Sequence, residues 1–111
     1  MELRIVRKGE ARNFMDGPEH CREYVVTEKI TFGTSTLPPG QRGEIDKGHP
    51  ASHEVFFVVR GHVLLYVKEQ ERYFELFEED AIVIPEGVSH TLINIGEETA
   101  VLSWSKAPSE R

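Results

Sequence analysis

Residues able to hold a divalent cation fall in two well-separated stretches. His49 and Glu54 lie in Gly48-His49-Pro50-Ala51-Ser52-His53-Glu54, and His90 lies in Pro85-Glu86-Gly87-Val88-Ser89-His90. Two imidazoles and one carboxylate suit borderline or hard divalent ions and leave positions open for water or substrate. The expected cofactor is therefore one divalent metal ion, Fe, Mn, Ni or Zn. Two neighbours complete the candidate site. Lys47 carries an ammonium that would oppose a cation nearby unless it turns away; as a catalytic residue it could neutralise a substrate carboxylate or phosphate. His53 is a further candidate ligand if the Pro50-Ala51-Ser52 connection bulges, because simple strand alternation points it away from Glu54. Competing readings make His49 and His90 polar rim residues bonded to backbone. Glu54 could likewise pair with Lys47, giving a metal-free pocket that captures a metabolite or sugar without turning it over.

The elements that must bring these side chains together are short strands. Runs of β-branched and aromatic residues are closed by Gly, Pro, Asp or Asn, which predicts strands at 3–7, 22–27, 29–37, 43–48, 54–60, 62–68, 72–77, 81–84, 90–95 and 99–105. Residues 8–15 suit at most a single helical turn. About ten short strands bury their apolar faces only when a second sheet covers the first, so the fold class is an all-β barrel or sandwich. In the 54–60 strand, Glu54, Phe56 and Val58 share one face, and Val55, Phe57 and Val59 share the other. With apolar residues on both faces, that strand is expected to be covered on both sides. Pro85-Glu86-Gly87 makes a turn and His90 opens the next strand.

Over roughly residues 30–105 the chain resembles the cupin superfamily. That family's first motif runs G-x5-H-x-H-x3,4-E-x6-G, where His49, Glu54 and Gly61 fall on the second His, the Glu and the closing Gly. The second motif runs G-x5-P-x-G-x2-H-x3-N, matched by Pro85, Gly87, His90 and Asn94, with Glu79 at the leading Gly. Lys47 stands at the first His, so one of the usual four ligands is replaced. The resemblance implies a double-stranded β-helix (jelly-roll barrel) with a metal in its mouth. It also implies a reaction on a small polar or anionic metabolite, of isomerase, dioxygenase, decarboxylase or lyase type.

The totals narrow the classes further. A chain of 111 residues fits one domain. A net charge of -6 without a Lys/Arg cluster argues against nucleic acid as a partner. Cys21 is the only cysteine, which excludes an intramolecular disulfide and a cysteine-built zinc site. The charged first residues lack the apolar core of a secretory signal, and the longest apolar runs are too short to span a membrane. A cytoplasmic protein follows as the expectation. His20 and His62 have no motif around them and are read as surface or strand-end residues. A homodimer is expected, with the strands around Arg22–Val26 adding to a partner's sheet edge.

Overall fold

The computed structural model describes residues 2–110. Nine strands form two antiparallel sheets: β1 (Arg12–Asp16), β2 (Glu19–Val26), β3 (Thr31–Leu37), β4 (His53–Arg60), β5 (Val63–Val67), β6 (Arg72–Leu76), β7 (Ala81–Ile84), β8 (Thr91–Asn94) and β9 (Ala100–Ala107). The larger sheet runs β1-β2-β3-β9-β4-β7 and the smaller β6-β5-β8. They face each other as a jelly-roll barrel. No helix among the described residues is long and apolar enough to cross a membrane.

Period-two alternation explains which residues fill the space between the sheets. On β4, Glu54, Phe56 and Val58 are buried, and on β5 so are Val63, Leu65 and Val67. Leu37, Val58, Val63 and Leu102 have no exposed surface at all. Burial of such a side chain contributes about 2 kcal/mol each. Phe57 and Val59, by contrast, stay exposed at 37% and 50%. The expectation that β4 is covered on both faces is therefore corrected: its outer face belongs to the outer surface of the larger sheet.

Four local expectations also change. Residues 3–7 form no strand, and Leu3 and Ile5 project outward, because the edge position beside β2 is taken by Arg12–Asp16. Residues 8–15 divide into a 3-10 turn, Lys8–Glu10, and most of β1. Arg22–Val26 is not a free edge, since β2 lies between β1 and β3. The expected strand at 43–48 is an irregular run along β8. It is held by Asn94 N–H to the Gln41 carbonyl (2.9 Å), Gly43 N–H to the Leu92 carbonyl (2.8 Å) and a bridge between Asp46 and His90.

Gly33 lies opposite Trp104 across β3 and β9. A Cβ there would come within 2.3 Å of the indole ring and 2.4 Å of the Arg22 carbonyl oxygen. The ring is also fixed by its Nε1–H, which donates to the Ser35 hydroxyl at 3.0 Å. Gly33→Ala is therefore expected to destabilise the fold by about 3 kcal/mol, the upper range for overpacking. Urea denaturation measures it, and a loss below about 0.5 kcal/mol would contradict this packing.

Candidate metal centre

Glu54 reaches the barrel interior because β4 turns every second residue inward, and it is only 4% exposed. His90 sits just before β8 and is 3% exposed. Its backbone N–H donates to the Asp46 carbonyl (2.9 Å) and its carbonyl accepts from the Asp46 N–H (2.8 Å), which sets the two residues side by side. Phe56 packs edge-on against the His90 ring, with centroids 5.8 Å apart. His90 Nδ1 lies 2.9 Å from the Val88 carbonyl. A carbonyl can only accept, so Nδ1 carries a proton and Nε2 is the nitrogen turned to the interior, open to a proton or a cation.

The segment Asp46-Lys47-Gly48-His49 departs from strand geometry. Asp46 Oδ1 accepts the Gly48 N–H at 2.8 Å, closing a side-chain turn. Gly48 has φ +90, and a Cβ there would meet the Val88 carbonyl oxygen at 2.8 Å. This kink breaks the alternation that would have set Lys47 and His49 on one side. Asp46 and His49 turn inward instead, and Lys47 is left exposed.

Four side chains thus converge. His49 Nε2 lies 3.5 Å from Asp46 Oδ2 and 3.4 Å from Glu54 Oε1. His90 Nε2 lies 3.6 Å from Asp46 Oδ2 and 3.2 Å from Glu54 Oε1. His49 Nε2, Glu54 Oε1 and His90 Nε2 are all buried with no hydrogen-bond partner, so they are close without being aimed at one another. Charge pairing at these distances is all that satisfies them. Ligands bonded at about 2.1 Å to a common ion stand roughly 3.0–3.4 Å apart, close to the separations observed. Two imidazoles with two carboxylates also match the donor chemistry of a divalent ion. The residues present fit such an ion.

The electrostatics agree. Burial works against charge on Asp46, yet the adjacent His49 and the Gly48 N–H hold its carboxyl down at about 2. The Asp46 and Glu54 carboxylates raise the His49 imidazole to about 9. Burial opposes charge on His90, but Glu54 and the Val88 carbonyl raise its pKa nonetheless. Burial likewise opposes charge on Glu54, and the two imidazoles lower its pKa. The cluster is built for positive charge, supplied by protons when no cation is bound.

Of the residues predicted from sequence, His49, Glu54 and His90 are brought together. Lys47 and His53 are not. Lys47 forms no ion pair with Glu54, so the metal-free Lys47–Glu54 pocket is not what the chain builds. His53 points outward, as plain alternation requires, with its side chain 61% exposed and paired with Glu86. Asp46 escapes sequence reasoning that expects a regular strand, although Asp-x-Gly is a recognisable side-chain turn signal. Asn94, a family motif position, has a structural task. Its amide donates to the Leu37 and Glu98 carbonyls, each at 2.9 Å, and its Oδ1 accepts the Gly96 N–H.

Beside the cluster lies a cavity of about 130 Å³ lined by Asp16, Glu19, Asp46, Glu54, Trp104 and Lys106, with Phe14 and Phe56 as apolar walls. Burial raises the pKa of both Glu19 and Asp16. Cys21, also on this cavity, is pushed up to about 12 by burial, which keeps its thiol protonated and inert. The arrangement can seat a small molecule against a metal-bound position.

Comparison with known proteins agrees with this architecture. Residues 33–105 match the family model described as Cupin domain. None of the curated proteins compared with the sequence matches it. Among solved structures, a single-residue variant of Streptomyces PAC13 with uridine superposes with a TM-score of 0.81 at 17% identity, covering 100% of this chain and 86% of that one. Another structure of Pac13 describes it as a nucleoside dehydratase. A predicted oxalate decarboxylase from Thermotoga maritima gives 0.78 at 17% identity, covering 96% and 100%. An RmlC-like cupin from Shewanella frigidimarina gives 0.78 at 14% identity, covering 99% and 95%. Such identities speak for the fold alone, but the family match takes in well over half of the residues, and the chain belongs to the cupin family.

Proposed function

We propose that this cupin is a metal-dependent enzyme acting on a small polar molecule at the barrel mouth, with Asp46, His49, Glu54 and His90 holding the ion. The observation that carries the reading is that ligand atoms of Asp46, His49 and Glu54 lie within 4.8 Å of one another, with the buried His90 Nε2 3.2 Å from Glu54 Oε1. A bound divalent ion would supply Lewis acidity or oxygen activation there. The protein's own residues do the rest. Phe56 and Trp104 exclude water, Val88 fixes the His90 tautomer, and the cavity walls orient the substrate.

The cavity's own charges refine the substrate class. Asp16, Glu19, Asp46 and Glu54 bring four carboxylates, against the single ammonium of Lys106. Once two of the carboxylates are neutralised by the ion, the remainder favours a neutral polyhydroxylated or amine-bearing molecule over an anionic one. Relatives of this shape include a nucleoside dehydratase and a predicted oxalate decarboxylase, so the fold leaves the reaction type open.

Elemental analysis of the purified protein, together with melting curves in Fe(II), Mn(II), Ni(II) and Zn(II), tests the reading. At least one ion at about a hundred times its Kd should raise Tm by about 10 °C. Less than roughly a tenth of an equivalent of metal as purified, with no shift for any ion, would remove the cofactor from the reading.

A further inference from the structure

The face of His49 turned away from the cluster meets a carboxylate from the far end of the described chain. Glu110 Oε1 lies 3.3 Å from His49 Nδ1. That oxygen is buried and has no hydrogen-bond partner. The other oxygen, Oε2, accepts the Ala51 N–H at 2.9 Å, which fastens the carboxylate to the loop carrying His49. The segment leading to Glu110 is itself tied down. The Ser52 hydroxyl donates to the Pro108 carbonyl, the Ser109 N–H donates to the Glu28 carbonyl at 3.3 Å, and the Ser109 and Thr31 hydroxyls meet at 2.7 Å.

The chemistry of the pair has one consequence for His49. Glu110, fastened to the loop through the Ala51 N–H, stands beside Nδ1 and so leaves Nε2 as the nitrogen that faces the cluster. His90 obtains the same orientation from a neutral backbone carbonyl. A charged acceptor does more, because it makes the imidazole a stronger donor to a cation and holds the ring plane. We infer that Glu110 is a positioning residue of the metal centre, a carboxylate that orients His49 through Nδ1 and couples the 108–110 segment to occupancy of the site. This rests on the proposed metal site.

The test is metal affinity. Co(II) and Zn(II) are titrated into the full chain with a competing chelator, and the visible Co(II) spectrum is recorded. Glu110→Gln keeps an acceptor for the Ala51 N–H but loses the charge beside Nδ1. It is expected to bind both ions about 10- to 100-fold more weakly, with an altered Co(II) spectrum. Ser109→Ala, which removes only the hydroxyl contact with Thr31, is expected to keep the wild-type affinity within about twofold. The urea midpoint of metal-free Glu110→Gln should match the wild type, which separates positioning from folding.

By reciprocity, Zn(II) should slow hydrogen exchange of the Ala51 amide in the wild type and leave it unchanged in Glu110→Gln. Wild-type affinity in Glu110→Gln, or an equal loss in Ser109→Ala, would overturn the inference while leaving the metal site standing. A wild type that binds neither ion would overturn both.

Discussion

His90→Ala should bind Zn(II) about 1,000-fold more weakly than the wild type, a loss on the order of 4 kcal/mol. The size follows from position. His90 is 3% exposed, its tautomer is set by Val88, and its Nε2 is within 3.6 Å of both Asp46 and Glu54. Water cannot easily replace a buried ligand whose neighbours are held in place by a backbone bridge. The metal-free variant should still fold, because removing one imidazole leaves His49 beside both carboxylates. Competition titration gives the affinity; a change of less than about threefold would mean that the four side chains do not act together on one ion.

The second large effect is on stability against pH in the metal-free protein. His49 is raised to about 9 from an ordinary value of 6.5. Its contribution is therefore complete below pH 6.5 and disappears as the pH rises through about 9. His90 is raised as well and acts in the same direction. Asp46 works at the other end: held at about 2 against an ordinary 3.8, it contributes above pH 3.8 and loses its effect as the pH falls through about 2. The Asp46–His49 contact is one interaction and is counted once. With EDTA present, stability should be greatest between about pH 4 and 6.5 and decline by about 3 kcal/mol by pH 10. Urea midpoints across that range measure it. A flat profile from pH 6 to 10 would show that His49 is not charged by its neighbours.

Much of the site can be read in the residues, and the reasons are physical. Glu54 follows from alternation, since a charged residue in phase with Phe56 and Val58 must enter the interior. His90 follows from a Pro-x-Gly turn that delivers the next strand. Asp46 does not follow, because a strand of period two pairs Lys47 with His49, and only the left-handed backbone at Gly48 shifts the phase by one residue. β1 is hard to see for a similar reason. Arg12-Asn13-Phe14-Met15-Asp16 has no β-branched residue and forms a strand through its pairing with β2. The run at 3–7 has the better local pattern and no partner. The Glu110 contact joins residues 61 positions apart (110 − 49), beyond the reach of any local pattern.

The order of strands in the larger sheet bears on how the centre comes into being. β3 pairs along its whole length with β9, Thr31 opposite Lys106, and β4 takes the other side of β9. Until β9 has been synthesised, β3 and β4 have nothing between them, and Glu54 is paired on the β7 side alone, opposite Ile84. Loop-closure entropy must be met before these distant pairings give any return, so the barrel belongs to the slow-folding class. A ribosome-bound chain lacking β9 would contain every one of the four converging side chains and still lack the Trp104 and Lys106 wall of the cavity beside them.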